Sequence, residues 1–171
     1  MSSALHRCPE LRAFVPAQSL VLAALGPKVL RLAAERTAGA HPYLVTPEFT
    51  RRARAILGTG PLLAPEQKAV LETDPDRARA LGRQRVRNPY LGLVNYTSNL
   101  RRLGWGDADL SNGGSDELID ALVAWGSAAE VAARLREHLT LGADHVCVQL
   151  HTESDLGLMD RYRRLAEALT L

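Results

Sequence analysis

Residues 20–45 constrain the fold of this 171-residue chain more than any other stretch. The first six are apolar without polar alternation, which is typical of a parallel strand buried on both faces. A Gly26-Pro27-Lys28 corner follows, and Pro27 suits the first position of a helix because its missing N–H would have no partner there. We predict that this helix ends at Gly39 and that residues 40–45 are again extended. The stretch therefore predicts strand, turn, helix and strand.

The corner is also a candidate anion site. The first free amides of the helix should point out of the carboxyl end of the preceding strand, beside the Lys28 ammonium, and such donors can hold a phosphate. The structural alternative is a tight turn with a solvated lysine. Spacing alone favours the tight turn, because Gly-Pro is a weak motif.

The rest of the chain repeats the alternation of strands and helices. Helix starts are predicted at Thr46-Pro47 and Asp74-Pro75, and Ser127 with Glu130 forms a capping box. Further strands are predicted at residues 68–72 and 145–150, with a longer helical excursion over residues 91–125. This order indicates an α/β fold with about four parallel strands. A complete eight-stranded barrel needs about 200 residues, so the chain forms an open sheet or part of a barrel.

Composition excludes several classes of protein. No apolar run approaches the roughly 18 residues of a membrane span, and the start of the chain does not resemble a signal peptide. Cys8 and Cys147 have neither metal spacing nor a disulfide framework. The net charge of +2, with arginines scattered among acids, argues against nucleic-acid binding. We therefore expect a cytoplasmic protein with no nucleic-acid or membrane partner.

Four segments carry a resemblance to a known family: LAALGPKVLRLAAERTAGAHPYLVTPEFTRRARAILG, LLAPEQKAVLETDPDRARA, PYLGLVNYTSNLRRLGW and GADHVCVQL. In order and spacing they resemble the carboxyl-terminal half of the bacterial luciferase-like superfamily, and within it the oxidoreductases that use the deazaflavin coenzyme F-420. The resemblance implies a TIM-barrel-type half barrel over residues 20–171, behind a leader of residues 1–19 that resembles nothing in the family. It also implies that the first four barrel strands are missing and that the chain is truncated.

The resemblance places the cofactor phosphate at Leu25, Gly26, Pro27 and Lys28, in agreement with the argument from amides and charge. Because barrel active sites lie at the carboxyl ends of the strands, further candidates are His41, Tyr43, Glu72 and His151. His41 is the candidate acid or base, with a bond to a backbone carbonyl as its structural alternative. Tyr43, Glu72 and His151 are candidates for the substrate pocket, although Glu72 could instead belong to the next helix start and His151 to the surface.

The family implies hydride transfer between deazaflavin and a small organic substrate, with FMN as the alternative cofactor. Enzymatic activity stays open at this stage, because the missing strands carry most contacts to the cofactor ring in the family. The second hypothesis is an inactive half barrel that self-associates as a homo-oligomer. The third is an accessory module that pairs with a separate amino-terminal half.

Overall fold

The computed structural model describes residues 15–154 and 156–169, and it has the predicted alternation of strands and helices. The helices are α1 (Pro27–Arg36), α2 (Pro47–Leu57), α3 (Pro75–Arg87), α4 (Val94–Leu103), α5 (Asp107–Leu110), α6 (Asp116–Leu122), α7 (Ala128–Thr140) and α8 (Leu158–Leu169). The strands are β1 (Val21–Leu22), β2 (Gly39–Ala40), β3 (Leu62–Leu63), β4 (Glu66–Val70), β5 (Val123–Trp125) and β6 (Cys147–Leu150). The prediction of an α/β fold with parallel strands is confirmed.

Local signals set the helix starts. Helices α1, α2 and α3 begin at a proline, and two of these have the predicted side-chain cap: Thr46 accepts a hydrogen bond from the N–H of Phe49, and Asp74 from that of Arg77. The capping box of Ser127 and Glu130 opens α7. Each cap satisfies an amide that the helix leaves free, so these starts depend on nearby residues alone.

The described strands form two parallel three-stranded sheets, in the orders β1-β2-β3 and β5-β4-β6. Strands β3 and β4 are consecutive parts of one run that is interrupted at Ala64 and Pro65. The first part pairs with β2, and the second pairs with β5 on one edge and β6 on the other. This run therefore belongs to both sheets and holds them together.

Three predictions about the strands and the helix between them are corrected. The sequence predicts a first strand buried on both faces, but Val21 is 40% exposed, because β1 pairs only with β2 among the described strands. Gly39 does not end α1: the helix ends at Arg36, and Gly39 pairs with Val21 and Leu62 in β2. Residues 123–125, predicted to be helical, form strand β5.

The two faces of β4 carry different side chains, because successive residues of a strand point to opposite sides. Ala69 packs with Val131, Leu135 and other apolar residues of α7 and α8. Val70 lies on the other face, in a core cluster with Leu44 and residues of α3, α4 and α6. A third cluster fills the space between the first sheet and helices α1 and α2. No helix in the described ranges is long and apolar enough to cross a membrane.

Candidate functional site

The corner at Gly26 has the exposed position that an anion site requires. Gly26 precedes α1 without a side-chain cap, and Lys28 is exposed in the first turn. The N–H groups of Val29 and Leu30 both donate to the Gly26 carbonyl at 3.0 Å, whereas that of Lys28 has no partner among the described residues. The corner therefore offers one free amide of the first turn beside one ammonium group. This is a smaller set of amides than the sequence predicted.

A buried polar cluster lies around Lys68 of β4. The Lys68 ammonium donates to Glu66 Oε1 at 3.3 Å, to Tyr43 Oη at 3.1 Å and to Gln149 Oε1 at 3.3 Å. Tyr43 Oη also donates to Gln149 Oε1 at 2.5 Å, and Glu66 Oε2 accepts from the N–H of Leu44 at 3.1 Å. Lys68 and Glu66 are only 2% and 1% exposed. A charged pair is thus enclosed with its hydrogen-bonding capacity largely satisfied.

Burial governs the protonation of this cluster. It raises the pKa of Glu66, against the opposing effects of the Lys68 charge and the Leu44 N–H. It also raises the pKa of Tyr43 and brings the pKa of Tyr90 to about 12. Both tyrosines therefore stay protonated at neutral pH and act as neutral hydrogen-bonding groups.

Aromatic rings cover the Lys68 ammonium. Its Nζ lies 4.3 Å from the ring centre of Tyr43 and 5.1 Å from that of Tyr90. Tyr90 in turn packs edge-on against Tyr96, with ring centres 4.9 Å apart. These faces stabilise a cation that has little contact with water. Tyr90 and Tyr96 belong to residues 88–105, so this segment closes one side of the cluster.

The predicted site residues His41, Tyr43 and Glu72 have different hydrogen-bond partners, although the rings of His41 and Tyr43 lie with their centres 6.4 Å apart. His41 Nδ1 lies 2.6 Å from the carbonyl oxygen of Ala64, the structural alternative that the sequence allowed. Glu72 accepts a hydrogen bond from the N–H of Asp74 and lies 3.4 Å from Arg77, at the start of α3. Tyr43 joins the buried cluster. The substrate-pocket role of Tyr43 stays a prediction. That of Glu72 also stays a prediction, and its contacts with Asp74 and Arg77 give it an alternative role at the start of α3.

His151 keeps a polar atom free at the carboxyl end of β6. Its Nε2 is buried without a hydrogen-bond partner in the described chain. Burial, together with the charges of Lys68 and Arg85, lowers the pKa of His151 to about 4. The imidazole is therefore neutral at physiological pH and can accept or donate a hydrogen bond at this atom.

A second polar chain joins β4 to two helices. His138 is fully buried, with Nδ1 2.7 Å from Thr50 Oγ1 and Nε2 2.8 Å from Gln67 Oε1. The Gln67 amide nitrogen donates to the carbonyls of Lys68 and Leu122, so its oxygen must accept from His138 Nε2. Burial lowers the pKa of His138 to about 4. This neutral histidine connects α2, α7 and β4.

A signal for the buried charge pair is present in the sequence. Glu66 and Lys68 are two residues apart, and in a strand such residues share one face. The predicted strand begins only at residue 68, so the prediction does not include this pairing. Two arginines of α3 bind acids of α6: Arg79 contacts Asp120 at 2.7 Å, and Arg83 contacts Asp116.

Metal binding has no support in the described part of the chain. Within those ranges, no group of histidine, cysteine and acidic side chains could hold a metal ion. The groups described above that could contact a ligand are the Gly26 corner, the free Nε2 of His151 and the polar cluster around Lys68.

Sequence comparison alone leaves the family open. No protein-family model matches the chain, and no curated protein matches it.

Structural comparison finds the fold in known proteins. An F420-dependent secondary alcohol dehydrogenase in complex with an F420–acetone adduct superposes with a TM-score of 0.61 at 14% identity, over 89% of this chain and 49% of that one. The coenzyme F420-dependent tetrahydromethanopterin reductase from Methanopyrus kandleri gives 0.60 at 16% identity, over 88% and 50%. Apo-MsnO8 gives 0.64 at 21% identity, over 99% and 61%.

These structures belong to the luciferase-like superfamily, so the predicted resemblance is confirmed at the level of the fold. The chain covers 49%, 50% and 61% of the length of these three structures.

Proposed function

We propose that this chain is the cofactor-holding part of an oxidoreductase in which coenzyme F-420 exchanges a hydride with a small organic substrate. The observation that carries the proposal is the exposed Lys28 in the uncapped first turn of α1, where the resemblance places the cofactor phosphate. Two of the solved structures with this fold are described as F420-dependent, which favours deazaflavin over FMN.

The bound deazaflavin would supply the hydride chemistry, and the residues of the chain would bind and position it. Lys28 would neutralise the phosphate, aided by its own free N–H, with Leu25, Gly26 and Pro27 forming the adjoining backbone. Because His41 Nδ1 faces a carbonyl oxygen, Nδ1 must carry a proton, and the neutral form of the ring offers Nε2 as a base. His151 Nε2 would provide a further polar contact for the substrate.

Titration of the purified chain with F-420, followed by fluorescence and calorimetry, tests the proposal. We expect saturable binding of F-420 and weaker binding of FMN. A folded chain that binds neither compound would contradict the proposal.

The contribution of Lys28 can be isolated by Lys28→Ala. We expect the variant to bind F-420 more weakly by about 1 kcal/mol or somewhat more, because a charged hydrogen bond to the phosphate is lost. Arg31→Ala is the matched control, since Arg31 is exposed one turn further along the same helix. Equal affinity of both variants for F-420 would remove Lys28 from the site.

A second candidate function is self-association of an inactive half barrel. It is favoured by strands β1 and β6, which each pair on one edge only within the described chain. An unpaired edge offers its backbone N–H and C=O groups to another strand, and a second copy of the chain would supply that strand.

A further inference from the structure

A pocket of about 280 Å³ lies between helices α1, α2 and α4, apart from the buried cluster of β4. Its apolar wall includes Leu30, Phe49 and Ile56. Helix α4 contributes Asn99 and Arg102. The pocket adjoins the Gly26 corner and shares Leu25 and Pro27 with it.

The side-chain amide nitrogen of Asn99 in this pocket lacks a hydrogen-bond partner in the described chain. The residue is 3% exposed, and this nitrogen is buried. Such a donor costs free energy unless a ligand accepts its hydrogen bond. Asn99 lines the pocket, so a bound acceptor there would supply the missing partner.

Arg102 adds an unpaired positive charge. Its guanidinium has no hydrogen bond or ion pair among the described residues, and one nitrogen would lie 3.9 Å from a Cβ placed on Gly26. Arg52, the other arginine of the pocket, is already engaged by Glu48 at 2.6 Å and by the carbonyl of Arg102 at 2.9 Å. Arg102 is therefore the cation that remains available to an anion in this pocket.

From these contacts we infer that the pocket binds a small amphipathic carboxylate beside the proposed cofactor site. The apolar wall would contact the hydrocarbon body. Asn99 and Arg102 would donate to the carboxylate, whose two oxygens match an amide donor and a guanidinium fork. A simple phosphate lacks the apolar part that this wall selects.

Octanoate is the probe that tests the inference, with 1-octanol as the uncharged analogue of equal chain length. We expect saturable octanoate binding by calorimetry, about tenfold tighter than that of octanol because of the charged hydrogen bonds. Absence of saturable octanoate binding by the folded chain would overturn the inference. Equal affinity for octanol would also overturn it.

Two variants and one spectroscopic signal locate the ligand. Arg102→Gln should lose about tenfold in octanoate affinity, whereas Arg101→Gln, on the same helix but paired with Asp107 outside the pocket, should bind as the parent does. In the unmodified chain, octanoate should shift the Asn99 side-chain amide resonances in an ¹⁵N correlation spectrum. Unshifted Asn99 resonances at saturation, or equal losses in both arginine variants, would overturn the assignment.

Discussion

At the scale of single residues, the Lys68–Glu66 pair dominates the interior. Each charge has lost nearly all contact with water, and each is compensated by the other and by Tyr43, Gln149 or the backbone of Leu44. Because removing charges from water is costly, such a pair stabilises the fold only while both members are present. The pair therefore restricts which side chains can occupy this part of the interior.

Removing only the ammonium should be severely destabilising. We expect Lys68→Met to lower the free energy of unfolding by about 3–5 kcal/mol, because Glu66 stays buried without its counter-charge. The double variant Glu66→Gln/Lys68→Met should recover much of the loss, since a glutamine still accepts from the N–H of Leu44. Urea denaturation measures both, with Lys28→Met as the exposed control. A Lys68→Met variant as stable as the parent would refute this account.

The buried His138 predicts a pH dependence. Its pKa is about 4 in the fold, against about 6.5 when the chain is unfolded, so between these values only the unfolded state takes up a proton. Stability should therefore fall as the pH falls from about 6.5 to about 4, by up to about 3 kcal/mol from this residue. In His138→Gln, the unfolding free energy from denaturation curves should depend less on pH between about 4 and 6.5. A variant of the exposed His145 should keep the pH dependence of the parent. An unchanged slope in His138→Gln would contradict the prediction.

At the scale of elements, β2 depends on a close approach between two backbones. A Cβ on Gly39 would lie 2.0 Å from the carbonyl oxygen of Leu62, and the φ of Gly39 is +154°. Strand β2 is two residues long and joins β1 to β3. A side chain at this position would therefore separate the strands of the first sheet.

Gly39→Ala should destabilise the chain by about 3 kcal/mol or more, as expected for a substitution that forces backbone atoms apart. Gly58→Ala is the matched comparison: Gly58 also has a positive φ, of +72°, but a Cβ added there would meet nothing within 4 Å. That substitution should cost only about 1 kcal/mol. Thermal unfolding of both variants measures the difference, and equal losses would show that conformation, not contact, sets the cost at Gly39.

The elements that could be predicted from sequence are those with local causes. Pro27 fixes its own backbone angle at a helix start, whereas Thr46 and Ser127 each accept a hydrogen bond from an amide three residues on, and all three helix starts were predicted correctly. Strand β5 was missed because Val123–Trp125 continues the apolar pattern of α6 without a breaker, and only pairing with the distant β4 makes it extended. The free amide of Asn99 also depends on packing between helices, which no spacing in the sequence reveals.

At the scale of the whole molecule, the two sheets end in edge strands. Val21 of β1 is 40% exposed, and β6 pairs only with β4 among the described strands. If a second copy covers these edges, sedimentation velocity should show a dimer at micromolar concentration. Val21→Lys should then favour the monomer, because a charge at an edge opposes strand addition. A folded parent chain that stays monomeric would exclude self-association through this edge.

The strand run shared by the two sheets also decides when the protein can fold during its synthesis. Lys68 and its partner Gln149 are 81 positions apart, and Gln67 and Leu122 are 55 apart. The ribosome must therefore synthesise β6 (Cys147–Leu150) before β4 can acquire both neighbours. Until then β4 lacks a strand neighbour on at least one edge, and such non-local pairing slows folding and prolongs exposure to aggregation. Translation speed after β4 should accordingly influence the yield of folded protein.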